Sequence, residues 1–389
     1  MTPPARLQSA IEILDLVIDA AKDNGPAADT IIAQWFKTRR FVGSKDRRAI
    51  REHLYAAIRA FGTRPHSGRA AFLGLDKTLR PLFDGSPYGP AEYRHSDAVA
   101  GPSPLSAWLA GLIDPAEHAA LLGRAPLDLR VNALKATREA VLAELPGAIP
   151  VGRDCVRLAD NLSVEGLPMW REGFIDIQDA GSQVIAQACR AVPDMTIVDL
   201  CAGAGGKTLA LAADMGRIDG EGAGRLIATD TNRDRLQRIQ QRSWRLGCGE
   251  IETRLLDPGA EIDALGDLVG TADVVLVDAP CSGSGTWRRN PEARWRLTPT
   301  RLEQVMATQA HVIGLGASLV KPGGALVYAV CSLIDAEGKA QIEAFLAANK
   351  GWTSEAISVG MGRAHGAGLI LTPAHDSVDG FFIARMIRS

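Results

Sequence analysis

The sequence predicts an α/β protein in which an all-helical N-terminal region and a small α/β module precede a doubly wound parallel sheet. Up to about residue 62, apolar residues recur at spacings of three and four, which is typical of amphipathic helices. After about residue 182, short apolar runs rich in β-branched residues alternate with helical stretches, which indicates parallel strands joined by helices. We therefore expect three regions, 1–124, 125–182 and 183–389.

The composition excludes some protein classes before any motif is considered. Hydrophobic residues make up 46% of the 389 residues and charged residues 23%, close to the average for folded domains, so a largely disordered chain is not expected. No apolar stretch approaches the roughly 20 residues needed to cross a bilayer, and the N-terminus lacks the apolar core of a signal peptide. We expect a cytoplasmic protein that does not bind membranes. The net charge of −2 gives no indication of a nucleic-acid partner.

The first two regions are predicted from periodicity and turn residues. Ile11, Leu14 and Ile18 are spaced as one face of a helix, and Ile50 and Leu54 belong to another. A stretch rich in Gly, Pro and Ser then predicts a loop, with two short helices after it. The second region begins as strand, turn and helix and continues with short extended segments, which indicates a small α/β module.

The third region contains five apolar β-rich runs and two candidate closing strands. Seven strands would suit the Rossmann-like sheet of methyltransferases that use S-adenosyl-L-methionine (SAM). The seven runs are TIVDL (196–200), LIATD (226–230), IETRLL (251–256), DVVLVDA (273–279), GALVYAV (324–330), EAISV (355–359) and GFFIARMI (380–387).

A glycine loop after the first strand and aspartates after the next three predict a cofactor site. The loop follows Asp199, and by itself it would fit any nucleotide-fold turn. Ligands of open α/β sheets bind beyond the carboxyl ends of the strands, so the aspartates should face one site. We expect Asp230 to accept the ribose hydroxyls of SAM and Asp257 to lie near the adenine amino group. The predicted cofactor-binding residues are Cys201, Ala202, Gly203, Ala204, Gly205, Gly206, Lys207, Asp230, Asp257 and Asp278.

Two of the six cysteines lie at strand ends, where the chemistry of this fold takes place. Cys281 follows the fourth strand and Cys331 ends the fifth, so both thiols should lie beside the methyl donor. Carbon 5 of cytosine accepts a methyl group only after a thiolate adds to carbon 6, which is covalent catalysis. Two thiols suggest that this work is divided. No C-x-x-C pair is present, and no metal site is predicted.

The motifs that carry these residues resemble the RsmB/Sun (Fmu) family of RNA cytosine-5 methyltransferases. They are DLCAGAGGKT (199–208), DAPCSGSGT (278–286) with RRNPEARW after it, YAVCS (328–332) and DGFF (379–382), together with RVNALKA (130–136) and IQDAGSQ (177–183) before the sheet. The N-terminal SKDRRAIREHLYAAIR resembles the NusB-like domain of the ribosomal RNA branch, so region 1–124 is expected to bind RNA.

The resemblance implies roles for individual residues. Cys331 would attack carbon 6 of cytosine, Cys281 would assist proton removal and product release, and Asp278 would meet the cytosine ring. Two positions depart from the family pattern: Ala204 stands where the family usually has Pro, and Val330 stands where it usually has Thr before the nucleophile. Neither departure removes a reacting group, although Val330 lacks a hydroxyl that could affect the rate.

Small-subunit ribosomal RNA is therefore the predicted substrate, and neither DNA nor a second copy of the chain is an expected partner. The open alternatives are the same chemistry on transfer RNA and a non-catalytic RNA-binding assembly factor. An amino-group methyltransferase would need an N/D-P-P-Y motif where this chain has DAPC. We also expect residues 286–301 to contact RNA, because arginines there alternate with Trp287 and Trp295.

Overall fold

The computed structural model describes residues 1–23, 25–159, 162–216 and 224–389. The chain forms two compact units. The first consists of Met1–Arg124 and Thr286–Pro299, and the second of Ala125–Gly285 and Thr300–Ser389. Within the described ranges, no helix has the length and apolar character needed to cross a membrane.

The first unit is helical. Thr2 caps the first helix and a proline opens it, and the helix buries Leu7, Leu14 and Ile18 against its neighbours. The predicted loop connects the fourth helix and a short 3-10 helix (Lys77–Leu82) to the two predicted short helices, which are present. The six α-helices are α1 Pro3–Lys22, α2 Ala28–Thr38, α3 Ser44–Ala60, α4 Gly68–Leu75, α5 Ala107–Ala110 and α6 His118–Leu122.

The segment Thr286–Pro299 belongs to this helical unit, and the burial of its two tryptophans corrects the predicted base stacking on RNA. Trp287, Arg294 and Trp295 are 0%, 1% and 6% exposed, so neither tryptophan offers a ring for base stacking. The Arg294 guanidinium donates to the carbonyls of Ile58 and Phe61, at the C-terminal end of α3. Arg294 and Trp295 thus satisfy carbonyls at the end of a helix, a use that the sequence pattern does not distinguish from RNA contact.

The second unit begins with a four-stranded antiparallel sheet in the order β2-β3-β1-β4. Leu129, Val141, Val156 and Ile175 form its core with the helices that cover it. Its strands are β1 Leu127–Val131, β2 Ile149–Val151, β3 Cys155–Leu158 and β4 Ile175–Ile177, and its helices are α7 Arg138–Glu144 and α8 Pro168–Arg171. Helix α9, Ala180–Cys189, leads into the large sheet.

The large sheet has nine strands in the order β11-β12-β13-β9-β8-β5-β6-β7, with β10 also paired to β13. The strands β5 to β9 are parallel to one another, and β13 is antiparallel to β9. The strands are β5 Thr196–Asp199, β6 Arg225–Asp230, β7 Glu252–Leu255, β8 Ala272–Asp278, β9 Val320–Val330, β10 Trp352–Glu355, β11 Arg363–His365, β12 Gly368–Leu371 and β13 Phe381–Arg388. The accompanying helices are α10 Gly206–Asp214, α11 Arg233–Leu246, α12 Glu261–Leu265, α13 Pro299–Leu319, α14 Lys339–Ala348 and α15 Pro373–Asp376.

The doubly wound sheet and the five predicted parallel strands are confirmed. Residues 355–359 were predicted as a strand, but β10 lies earlier, at Trp352–Glu355, and pairs with the end of β13. Since Thr353 and Ser354 are exposed on this edge strand, it lacks the apolar pattern of a buried strand. The hairpin of β11 and β12 adds two short strands to the predicted seven, and β11 forms the edge of the sheet.

The central strands are apolar because helices cover both faces of the sheet. Ile197 and Leu276 pack into the core on one face, and Val198 and Val275 pack into the core on the other. The parallel strands bring their carboxyl ends to a single edge. The residues that follow these strands build the site described next.

Candidate active site

A cavity of about 1000 Å³ opens at the carboxyl edge of the large sheet. Residues after β5, β6, β8 and β9 line it, together with one face of α13. The predicted site residues among its lining are Cys201, Ala202, Gly203, Ala204, Asp230, Asp278, Cys281 and Cys331. The remaining predicted residues, Gly205, Gly206, Lys207 and Asp257, are not among the lining residues of the described chain.

The glycine loop closes tightly between β5 and α10. Gly203 and Gly205 have φ values of +56° and +82°, in the left-handed region that favours glycine. A Cβ atom on Gly205 would come within 2.9 Å of the Ile239 side chain, whereas one on Gly203 would meet nothing within 4 Å. Gly205 thus allows the turn, and Gly203 leaves its backbone open to a ligand.

Asp230 ties this loop to the end of β6. One carboxylate oxygen accepts from the Gly203 N–H at 2.9 Å, and the other accepts from the Asn232 N–H at 2.7 Å. Asp257 differs, since its side chain is exposed and only its neighbours Leu256 and Pro258 line the cavity. Of these two aspartates, Asp230 is therefore the one whose carboxylate is held at the cavity wall.

Asp199 is buried beneath the loop and anchors α10. Its carboxylate accepts from the Thr208 hydroxyl at 2.7 Å. Burial raises the pKa of Asp199 to about 7, although the Thr208 hydrogen bond acts in the opposite direction. Asp199 therefore fixes the start of the helix and does not contact the cavity.

Lys207 and Asp278 form an ion pair with 2.7 Å between Nζ and Oδ2. Burial by itself lowers the pKa of Lys207, but the charge and hydrogen bond of Asp278 outweigh burial, so this pKa is raised. Lys207 consequently keeps its charge and holds the Asp278 carboxylate at the cavity wall.

The two strand-end cysteines meet at the cavity wall. The sulfur atoms of Cys281 and Cys331 are 3.2 Å apart. The hydrogen bond to Cys331, followed by burial, raises the pKa of Cys281 well above its usual range. Cys281 thus keeps its proton and can donate it to Cys331. Burial also raises the pKa of Cys201, the third thiol of the cavity, which disfavours a thiolate there.

Several residues at the site were missed by the sequence analysis. Glu261 and His311 line the cavity as a pair, with 2.9 Å between Oε1 and Nε2. Glu337 is buried behind the cysteines and accepts hydrogen bonds from residues beside both of them. The helical spacing of the lining residues 307, 308, 311, 312 and 315 was the one available signal, since it defines one face of α13.

This arrangement suits covalent catalysis, because a protonated thiol, a second thiol and a charged carboxylate–ammonium pair lie close together. In the part of the chain that the structure describes, no cluster of His, Cys, Asp or Glu could hold a metal ion.

Comparison with known proteins gives consistent matches. Residues 186–387, more than half of the chain, match the family described as 16S rRNA methyltransferase RsmB/F. A probable ribosomal RNA small subunit methyltransferase B from Synechocystis sp. is 38% identical over 278 residues, covering 67% of this chain and 59% of the relative. This chain spans 59–64% of the length of the first two such relatives.

Two solved structures are also similar. The crystal structure of PH0851 superimposes with a TM-score of 0.77 at 22% identity, over 100% of this chain and 99% of the other, which shows the shared fold. A methyltransferase homolog from Pyrococcus horikoshii gives a TM-score of 0.59 at 26% identity, over 70% of this chain and 90% of the other.

Proposed function

The chain belongs to the RsmB/F family, and from this premise we propose that it is a SAM-dependent methyltransferase acting on carbon 5 of a cytosine in small-subunit ribosomal RNA. One observation carries the proposal: two thiols lie 3.2 Å apart at the wall of a cavity that the glycine loop also lines. A methyltransferase acting on a ring nitrogen or an amino group has no use for such a pair, since only carbon 5 requires prior attack by a thiolate.

The cavity fits the cofactor. Its volume of about 1000 Å³ lies at the upper end of the range for small-molecule sites. Gly203 leaves room for close approach of a ligand, and Asp230 offers a carboxylate that can accept the ribose hydroxyls. When bound, SAM supplies an electrophilic methyl group. We propose the residues from Cys201 to Lys207 with Asp230, Asp257 and Asp278 as its binding residues.

Cys331 is the proposed nucleophile. Its sulfur forms a bond to carbon 6 of cytosine, and the electron pair of the ring double bond makes carbon 5 nucleophilic. The sulfur atoms of Cys281 and Cys331 lie within hydrogen-bond distance and either can be the donor, so the Cys281 thiol is within reach of the reacting sulfur. Asp278, held by Lys207, faces the ring.

Release reverses the attack. After carbon 5 has gained the methyl group, its proton must leave and the bond between carbon 6 and sulfur must break, which regenerates the Cys331 thiolate. Cys281 is the proposed group that assists this proton removal, because its sulfur lies 3.2 Å from that of Cys331. It must act as a thiolate to accept the proton, and the raised pKa of Cys281 makes that thiolate a strong base. The base must be out of its helical stack for these groups to reach it.

A trapping experiment tests the proposal. The Cys281→Ala variant should attack RNA but release it slowly, so RNA should remain covalently bound to protein isolated under denaturing conditions. The adduct should be absent from Cys281→Ala/Cys331→Ser. Cys201→Ala is the matched control, because Cys201 lines the same cavity but should not accumulate an adduct.

Sequencing of the trapped RNA identifies the substrate. Small-subunit ribosomal RNA would support the proposal, and transfer RNA would overturn its substrate. If no adduct forms and the wild-type protein methylates neither RNA, the result overturns the proposed function and favours the non-catalytic assembly factor.

A further inference from the structure

We infer that Glu337 is a positioning residue that holds Cys281 and Cys331 at their observed separation. This inference rests on the proposed function. Glu337 follows β9 and precedes α14, and its side chain is 0% exposed. It touches neither sulfur atom through a hydrogen bond, and instead it binds the residue that follows each cysteine.

The Glu337 carboxylate holds the loop after β8 through both of its oxygen atoms. The backbone N–H of Ser282, next to Cys281, donates to Oε1 at 2.7 Å. The Ser282 hydroxyl donates to Oε2 at 2.5 Å. A backbone bond and a side-chain bond together fix both the position and the orientation of this residue.

The same carboxylate holds the loop after β9. The hydroxyl of Ser332, next to Cys331, also donates to Oε2, at 2.5 Å. Ser284 joins the two loops a second time, because its hydroxyl lies 2.9 Å from that of Ser332 and accepts from the Leu333 N–H at 2.9 Å. Glu337 is thus the side chain through which the two cysteine-bearing loops meet.

Glu337 is itself held from outside the loops. Gln309 of α13 donates to Oε1 at 3.1 Å and to the Pro280 carbonyl at 3.0 Å. The Tyr328 hydroxyl donates to the Glu337 carbonyl at 2.6 Å. The helix therefore holds the carboxylate of Glu337, and the strand holds its backbone.

The chemistry of the site explains why a carboxylate is used. Burying a carboxylate is costly unless hydrogen bonds compensate it. A carboxylate has about four acceptor sites, and four donors meet it here: the Ser282 N–H, the Ser282 and Ser332 hydroxyls and the Gln309 amide. An apolar side chain would leave the part-buried Ser282 N–H without this acceptor.

The first test measures the rate at which the two sulfurs form a disulfide, which depends on their separation and not on enzyme activity. Diamide takes two electrons and two protons from Cys281 and Cys331, which join as a disulfide while the N=N bond of the reagent is reduced to a hydrazine. In the wild-type protein this reaction should be fast. In Glu337→Ala it should be about tenfold slower or more, because a disulfide requires close and specific geometry. Mass spectrometry of the denatured protein gives the rate.

The control and the conservative variant separate positioning from folding. Glu343→Ala changes an exposed glutamate on α14 and should cross-link at the wild-type rate. Glu337→Gln keeps one oxygen acceptor for Ser282 and an amide that can bond to the serine hydroxyls, so it should cross-link nearly as fast as wild type. If Glu337→Ala does not fold, Ser332→Ala replaces it in both measurements, with a smaller expected decrease.

The second test measures turnover. Glu337→Ala should lower kcat by about 100-fold, since misplacing a reacting group by about 1 Å can cost this much. The KM for SAM should stay near the wild-type value because Glu337 does not line the cavity. Glu337→Gln should recover most of the lost kcat.

The outcomes distinguish the positioning role of Glu337 from the proposed function of the chain. Slower cross-linking together with lower kcat supports the positioning role. Unchanged cross-linking in a folded Glu337→Ala protein overturns it, whatever the enzyme does. Slower cross-linking in a protein whose wild-type form methylates no RNA would leave the geometry standing and overturn the proposed function.

Discussion

Asp230 and Asp257 differ in their hydrogen bonds and exposure, and we expect their contributions to SAM affinity to differ accordingly. Asp230 is only 8% exposed and accepts from the Gly203 and Asn232 N–H groups, whereas Asp257 is exposed. We expect Asp230→Ala to weaken SAM binding by roughly 1–3 kcal/mol, the contribution of a hydrogen-bonding charged group. Asp257→Ala should have a smaller effect. Isothermal titration calorimetry measures both, and an equal loss in the two variants would contradict the distinction.

Individual site residues were predictable where sequence order alone places them. Asp230 and Asp278 end parallel strands of one sheet, so their shared edge follows from the fold. Glu337 could not be predicted in the same way, because its donors come from Ser282, Gln309 and Ser332 in three separate segments. Only the packing of α13 against the strand ends brings these donors to one carboxylate.

At the scale of elements, the short 3-10 helix Pro291–Trp295 stabilises the end of α3. The Arg294 guanidinium donates to the carbonyls of Ile58, Arg59 and Phe61, and Trp295 Nε1 donates to the Phe61 carbonyl. Burial lowers the pKa of Arg294 to about 10, which still leaves it charged at neutral pH and favourably placed at a helix C-terminus.

We therefore expect Arg294→Ala to lower the free energy of unfolding by about 2–4 kcal/mol, since it leaves buried carbonyls without donors. Arg48→Ala, on the exposed face of α3, is the control and should change it by less than about 0.5 kcal/mol. Urea unfolding followed by circular dichroism measures both. Equal stabilities would show that residues 291–295 do not support the helix.

Element positions were predictable when burial gave them a clear pattern. The central strands β5 and β8 are mainly apolar because both of their faces are covered, and periodicity finds such runs. The edge strand β10 lacks this pattern, which is why the prediction fell on residues 355–359. Trp295 and Arg294 were predicted wrongly for a different reason. Their residue types fit an RNA-binding surface, but both side chains are buried in a helical core.

At the scale of the whole molecule, the first unit is discontinuous in sequence. It takes Thr286–Pro299 from the middle of the region predicted as one catalytic domain, 183–389. Glu292 accepts from the Ala28 N–H at 2.9 Å, and Arg296 donates to the Gly25 and Pro26 carbonyls. Sequence periodicity defines only regions that are continuous along the chain. It could therefore not show that a later segment belongs to an earlier unit.

This discontinuity predicts how the chain behaves when it is cut after Arg124. A fragment of residues 125–389 would carry Arg294 and Trp295 without the helices that bury them. We expect this fragment to aggregate and to bind a hydrophobic dye, because exposed contiguous apolar surface is an aggregation liability. Co-expression with residues 1–124 should restore a soluble complex in which the two fragments copurify, as size-exclusion chromatography would show.

Replacing residues 286–299 of the fragment with a Gly/Ser linker is the matched control, and it should make the fragment soluble alone and abolish copurification. A monodisperse, dye-free fragment 125–389 with its native segment would mean that Thr286–Pro299 does not depend on the N-terminal helices.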